Sequence, residues 1–357
     1  MANNNKLDFT GQPIYIGLDV HKKSWSVSIH SAVCEHKTFT QPPEVEPLVN
    51  YLRRNFPGAS YRSVYEAGYS GFWLHDQLID RGVDCIVVNP ADVPTKEKER
   101  RAKRDRVDCR KLARGLRAGE IEGIYVPCRA KLEDRSLVRT RQSMVRKQQT
   151  RCKNQIKGIL FFYGIALPQD WGQRRWSGKF VRWLESLRME RASGEGALQI
   201  HLEELKQLRR MIATLDRQIR VLAKTEEYKM QVELLVTVPG IRTLTAMILL
   251  TELQSLSRFA SLDELACYVG LIPDTHGSGE AEHTGGITKR RHAPLRACLV
   301  EASWAAVRKD PALLMAFEKA CKRMRKTRAI VKIARKLLNR VRYVLKNQRP
   351  YVLGVVQ

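Results

Sequence analysis

The first ninety residues place short apolar strands at close intervals, each bounded by turn residues, and few folds accept that pattern. Ile14-Tyr-Ile-Gly-Leu-Asp19-Val20 reads as a buried strand with an acid near its end. Ser24–Ile29 alternates as a second strand and Glu35–Thr40 reads as a third, with short polar turns between them, the arrangement of successive hairpins. The period then changes. Val45, Leu48, Val49, Leu52 and Phe56 fall on one face of a helix. Arg62–Ala67 returns to strand and is ended by Gly68 and Gly71; Phe72–Arg81 is a helix stopped by Gly82; Asp84–Val88 is a strand stopped by Asn89-Pro90. Hairpin strands followed by alternating helix and strand predict a mixed sheet with helices packed against it, an α/β domain.

That layout determines where the acids fall. Asp19 lies near the end of the first strand and Glu66 at the C-terminal end of the fourth. Further on, Lys103-Arg104-Asp105-Arg106-Val107-Asp108-Cys109-Arg110 sets two carboxylates three residues apart in a very basic neighbourhood. If a helix begins there, Asp105 and Asp108 share a face. Neighbouring carboxylates repel unless a cation sits between them, and a hard divalent ion with oxygen ligands meets that need. In open α/β sheets, sites form where adjacent strands end. Acids converging there from separate segments suit metal-assisted phosphoryl transfer. Each has a plainer account by itself: a turn acid, a strand-end acid, and first-turn acids favoured by the helix dipole.

Charge narrows the partners. Lys and Arg number 63 against 37 Asp and Glu, a net +26, which draws polyanions and points to nucleic acid. No apolar run approaches the ~20 residues of a membrane-spanning helix. The polar N-terminus does not read as a signal peptide, and the scattered cysteines, without a Cys-x-x-Cys pair, suit a reducing cytoplasm.

Basic residues recur along the chain. The segment 91–103 reads as a loop whose cations meet phosphates or simply water. Residues 131–160 read as a helix carrying Arg135, Arg139, Arg146, Lys147 and Arg151 around a thin apolar stripe of Leu132, Leu137, Val145, Cys152, Ile156 and Ile159. A helix so charged gains stability from a polyanion against it, so nucleic-acid contact is favoured over an ordinary solvated face. Arg174, Arg175, Trp176, Lys179, Arg182 and Trp183 interleave cations with indoles, either for stacking on bases or as core tryptophans under a basic surface. Leu198, Leu202, Leu205, Leu208, Ile212, Leu215, Ile219 and Leu222 form a near-heptad seam, paired with a second copy or with the chain's own basic helix. Val238-Pro239-Gly240-Ile241 resembles the hairpin of a helix-hairpin-helix element, where glycine lets backbone amides approach a phosphate; it serves equally as a turn between packed helices. Residues 271–292 are the least regular stretch, a long loop with Ser278 between Gly277 and Gly279. The remainder to Asn347 is helical, with Ile330, Ile333, Leu337, Val341 and Leu345 opposite a basic face.

Several of these segments together resemble a known family. Gly17-Leu-Asp19-Val-His-Lys22, Glu66-Ala-Gly-Tyr-Ser-Gly71, Val88-Asn-Pro90 and Lys103-Arg-Asp105-Arg-Val-Asp108 resemble the RuvC-like DEDD domain of the "one-ten/eleven-eleven" insertion-sequence transposases, a group that includes bridge-RNA-guided recombinases and pilin-gene invertases. Gly270-Leu-Ile-Pro273, Ser278-Gly279, Ile287-Thr-Lys289 and His292-Ala-Pro-Leu-Arg296 resemble the same family's transposase domain; Arg291, where glycine is usual, and the segment 280–283 depart from its pattern.

The resemblance implies a RuvC/ribonuclease-H-like α/β domain over residues 13–128 with Mg2+ held by Asp19, Glu66, Asp105 and Asp108. It implies a basic, coiled-coil helical linker over 129–228, then a mostly α-helical transposase domain over 229–348 with Ser278 as nucleophile. The expected activity is DNA cutting and rejoining through a phosphoserine, on donor and target DNA, with a guide RNA. Dimers assembling to tetramers in the bacterial cytosol, at the nucleoid, are also expected. Lys103, Arg104, Arg139, Arg146, Lys147, Arg151, Lys289, Arg290 and Arg296 are the candidate nucleic-acid contacts. Two rivals use the same residues differently: a RuvC-like nuclease of branched DNA that needs the acids but not Ser278, and a non-catalytic nucleic-acid-binding protein.

Overall fold

The computed structural model describes residues 8–94, 105–167, 176–278, 281–288 and 291–353; residues 105, 106, 274–278 and 281–285 are described by their backbone alone. The chain forms two compact units, residues 1–126 and 127–357.

The first unit is the expected α/β domain. Strands β1 (Pro13–Val20), β2 (Trp25–His30), β3 (Glu35–Gln41), β4 (Ser60–Glu66) and β5 (Val83–Val88) form a sheet in the order β3-β2-β1-β4-β5. β1, β2 and β3 pair antiparallel, as short turns require, while β4 runs parallel to β1 and β5 parallel to β4. The parallel strands need crossovers, and α1 (Val45–Asn55) and α2 (Trp73–Ile79) supply them.

Strand alternation sorts the two faces. Ile14, Ile16 and Leu18 of β1 and Trp25, Val27 and Ile29 of β2 are all fully buried in one cluster with Leu48, Leu52, Leu74 and Leu78 of α1 and α2. The opposite face of β1 and β2 carries small residues, Gly17, Ser26 and Ser28, and there lies α3 (Asp105–Ala118). Gly17 decides how close α3 comes: a Cβ at that position would sit 2.0 Å from the Cys109 carbonyl oxygen and 2.5 Å from the Ala113 amide nitrogen. No side chain fits between strand and helix.

The second unit is helical. Helices α4 (Arg129–Ser143) and α5 (Thr150–Phe162) flank a π-helical turn at Met144–Gln149. They are followed by α6 (Gly178–Ser186), α7 (Ala192–Leu222), α8 (Lys229–Val236), α9 (Thr243–Leu253) and α10 (Leu262–Val269). After β6 (Pro273–Ser278) and β7 (Ala281–Ile287) come α11 (Ala293–Ala306), α12 (Pro311–Cys321) and α13 (Lys326–Asn347).

Here the structure departs from several expectations. Residues 273–278 and 281–287 are not loop but pair as an antiparallel hairpin, with His276 opposite His283 and Ser278 opposite Ala281. The leucine seam of α7 is filled by the chain itself: Leu198, Leu202, Leu205 and Leu208 are buried with Cys152, Ile156 and Leu160 of α5 and with Phe180 and Leu184 of α6. The buried stripe of α4 and α5 runs through Val138, Gln142, Cys152, Ile156 and Leu160, partly off the expected phase, because the π turn shifts the register between the two helices. Trp176 belongs to the core at 6% exposure, packed edge-on against Phe180, so it is no stacking platform; Arg174 and Arg175 lie outside the described residues. Gly240 does need its freedom, at φ +86°, but what approaches it is protein: a Cβ there would lie 2.3 Å from the Ala302 carbonyl oxygen of α11.

Candidate active site

The sheet brings two of the sequence-predicted acids together. The β1–β4 register ends at Leu18 opposite Tyr65, so Asp19 and Glu66 follow at the C-terminal ends of neighbouring parallel strands. Beyond β4 the backbone is tied down at both sides. The Tyr65 hydroxyl donates to the Gly71 carbonyl at 2.9 Å, and the Tyr69 hydroxyl donates to the Val20 carbonyl at 2.9 Å. The Tyr69 tie spans from the segment after Glu66 to the residue after Asp19.

The bare contact at Gly17 brings a third acid to this sheet face. Cys109 is fully buried, and burial pushes its thiol up to about 12, with the negative charge of Asp19 adding to the effect. Asp108 precedes it on α3, with its side chain 26% exposed and the Lys111 ammonium 3.6 Å from its carboxylate. Asp19 is similarly half-hidden, at 21% exposure, and lies 3.2 Å from His21 Nε2. His21, Tyr69 and Lys111 were not singled out in the sequence. His21 was within reach of such reasoning, since it stands two residues after Asp19 within the motif; Tyr69 and Lys111 acquire their partners only through the fold.

The donors are all carboxylate oxygens, the chemistry a hard divalent cation takes. Asp105 begins α3 one turn before Asp108, and its side chain is outside the described residues. Among the described residues no group of three His, Cys, Asp or Glu side chains is arranged to hold a metal ion. Asp19, Glu66 and Asp108 are carried by adjoining elements.

In the second unit, Ser278 is the last residue of β6 and pairs with Ala281 at the start of β7. The base of that hairpin is firmly held. The Thr288 amide donates to the Ile272 carbonyl at 3.2 Å, and Arg296 Nη1 donates to the carbonyls of Gly270 and Thr288 at 3.0 and 2.9 Å. Just after the hairpin, His292 caps α11: its Nδ1 accepts from the Leu295 amide at 3.4 Å, which leaves Nε2 as the donor to Glu252 at 3.2 Å.

Glu252 is the residue that sequence reading missed. It is fully buried, on the otherwise apolar α9, and receives Arg139 Nε and Nη2 from α4, each at 2.7 Å. Burial alone would raise its carboxyl, but the hydrogen bonds from His292 and Arg139 and the charges behind them bring it down to about 2. A lone acid in Leu-Leu-Thr-Glu252-Leu was the available signal, because a buried carboxylate demands a cationic partner.

The candidate nucleic-acid contacts therefore divide. Arg139 and Arg296, expected to face nucleic acid, instead direct these hydrogen bonds into the protein. Arg151 lies 3.5 Å from Glu204. Arg146 and Lys147 are exposed. Lys103, Arg104, Lys289 and Arg290 lie outside the described residues.

Comparison with known proteins finds two family matches along the chain. A DEDD transposase profile of the IS110 type, described as "Transposase", matches residues 16–165, and a profile described as "Transposase IS116/IS110/IS902 family" matches residues 232–318. The putative transposase y4rJ of Sinorhizobium fredii is 31% identical over 306 residues, covering 77% of this chain and 74% of the relative. The chain belongs to the IS116/IS110/IS902 family of transposases. The putative transposase y4qE of the same organism is 32% identical over 67% of this chain, and the match spans 57% of that relative's length. The transposase for insertion sequence element IS1533 of Leptospira borgpetersenii is 26% identical over 67% of this chain and 69% of its own. Within the family matches, the first covers all four acids and the second covers Ser278. Among the described residues no helix is long and apolar enough to cross a membrane.

Proposed function

We propose that this chain is a DNA recombinase that cuts and rejoins strands through a covalent phosphoserine at Ser278, assisted by Mg2+ at Asp19, Glu66, Asp105 and Asp108. The observation that carries the reading is the placement of Asp19 and Glu66 at adjacent parallel strand ends, with α3 and Asp108 packed bare against β1 at Gly17. Strand order and direction support a ribonuclease-H-like assignment for this unit.

Ser278 Oγ attacks a phosphodiester phosphorus; the Oγ–P bond forms as one ester P–O bond breaks, and the hydroxyl proton ends on the released sugar oxygen. Attack by a sugar hydroxyl of another strand reverses the exchange, returning a proton to Oγ, so the phosphodiester is rebuilt without ATP. Asp19, Glu66, Asp105 and Asp108 would hold a divalent cation, which when bound would supply positive charge to phosphoryl oxygens. The hairpin's anchorage through Arg296 and His292–Glu252 keeps the serine on a defined backbone path.

The net charge of +26 supports a nucleic-acid partner, and with the family resemblance it supports a structured guide RNA beside the DNA. Assembly as dimers and tetramers rests on that resemblance as well, since the α7 seam is occupied internally.

The test is an adduct assay on nicked DNA that traps the intermediate. Ser278→Ala abolishes both adduct and rejoining, and Asp108→Asn lowers both by orders of magnitude. Undiminished cleavage by Ser278→Ala would instead mark a metal-dependent nuclease, and full activity of Asp108→Asn would dismiss the metal site. Sequencing the nucleic acid that co-purifies with the protein tests guidance: a discrete structured RNA is expected, and its absence counts against it.

A further inference from the structure

The second unit contains a cavity of about 520 Å³ that none of the residues discussed as catalytic enters. Its wall is cationic. Arg146, from the π turn after α4, and Arg242, Arg308 and Lys309, from the segments before α9 and after α11, all line it and are exposed. Among the described residues none of these four cations has a carboxylate partner, and the one acid in the wall is Glu301. A fifth lining cation, Arg141, is already neutralised by Asp216 at 2.8 Å. Unpaired cations gathered around a concavity raise the local concentration of anions.

Two further features indicate what the anion is. Gln142 lines the cavity at 7% exposure, and its amide nitrogen has no hydrogen-bond partner among the described residues. A buried donor without an acceptor is costly and uncommon, so it points to an oxygen-bearing occupant. Helix α9 also begins at this wall: Leu244 and Thr245 of its first turn line the cavity, and Arg242 at the N-cap provides no side-chain cap. First-turn amides with no capping oxygen, at the positive end of the helix dipole, favour a phosphate. Apolar wall is present too, in Val145, Ile241 and Ala305. Ligand sites run to roughly 300–1,000 Å³, so the space suits one nucleotide and excludes a duplex.

We infer that this cavity binds one nucleotide of a nucleic-acid strand, with its phosphodiester against Arg146, Arg242, Arg308, Lys309 and the start of α9, and its sugar or base edge on the apolar wall. The inference rests on the reading that the chain acts on nucleic acid, but it does not depend on Ser278.

The experiment measures binding of the full chain to labelled single strands, one DNA and one RNA of equal length, each prepared with a 5′-hydroxyl and with a 5′-phosphate end, across a salt series. Arg242→Gln with Arg308→Gln weakens binding about tenfold and flattens the log–log salt slope by about 0.7, the value for one lost phosphate on a single strand. Gln142→Leu weakens it about tenfold through loss of one hydrogen bond to a charged group, while melting temperature holds or rises as the unpaired donor is removed. A loss on DNA, on RNA or on both supports the site and identifies its strand. Folded variants with unchanged affinity and slope on both strands overturn it. So does a loss confined to 5′-phosphorylated strands, which would make the ligand a terminal phosphate. Adduct formation at Ser278 is read in a separate assay, so the two readings fail separately.

Discussion

Replacing Gly17 by alanine tests the link between the sheet and the acidic pair most directly. The added Cβ would stand 2.0 Å from the Cys109 carbonyl oxygen and 2.5 Å from the Ala113 nitrogen, and both obstructing atoms are helix backbone, with no rotamer to swing aside. A carbon rests about 3.3 Å or more from a carbonyl oxygen, so α3 must retreat by about 1.3 Å. Cys109, Leu112 and Ala113, buried at 0–1% exposure, lose their fit against the sheet. Overpacking of this kind costs about 1–3 kcal/mol. For a unit of this size that lowers Tm on the order of 3–15 °C. The functional effect is larger. Asp108 rides on the displaced helix while Asp19 stays on β1, and an error of about 1 Å between catalytic groups costs up to about 10²-fold in rate. The assay compares strand-cutting rates below the lowered Tm, with thermal unfolding followed in parallel. Gly115→Ala is the matched control on the same helix: the atoms nearest its Cβ all belong to the Ile121 side chain, at 3.2 Å from Cγ2, and none is backbone, so the rate stays within a few-fold. A Gly17→Ala protein with parental Tm and rate would refute the reasoning, because it would mean that α3 position and acid geometry are not coupled.

Other perturbations have equally definite outcomes. The Glu252 carboxyl is held below its ordinary 4.5, at about 2, so its stabilisation is complete above pH 4.5 and is lost as pH falls toward 2. Glu252→Gln should cost about 3–5 kcal/mol near neutrality and flatten that acid limb in denaturant titrations; parallel limbs for variant and parent would sink the assignment. Gly240→Ala drives a methyl group into the Ala302 carbonyl at 2.3 Å from a backbone at φ +86°, so thermal melting should show a loss of stability, whereas an unchanged melt would mean that the α8–α9 turn adjusts freely. Leu205→Ala removes a fully buried side chain of the α7 seam and should cost about 2–5 kcal/mol without altering the elution volume; a change of oligomeric state would return the seam to an intermolecular role.

Much of the first unit was legible from residue order alone. Strand alternation and the glycine stops located all five strands of its sheet within a residue or two, because a period of two with one buried face leaves little choice of register. The acids were legible because a carboxylate at a strand end is chemically conspicuous. Less legible was anything that depended on what a face meets. The α7 seam reads the same whether its partner is a second chain or α5 of the same chain, since both bury the same leucines. Residues 271–292 read as loop because Gly, Pro and His carry little strand propensity, yet residues 273–278 and 281–287 pair as a hairpin.

Local periodicity and the chemistry of single residues thus determined the α/β unit, the helical remainder, the acid positions and the strongly positive charge. Tertiary structure decided which charges are free and which are consumed. Arg139 and Arg146 stand seven residues apart in the same basic run; one is bound to the buried Glu252, and the other lines an unneutralised cavity. The physical reason is that a cation's role depends on the nearest opposite charge and on water. For Arg139 that charge lies 113 residues further along the chain, a distance only folding closes.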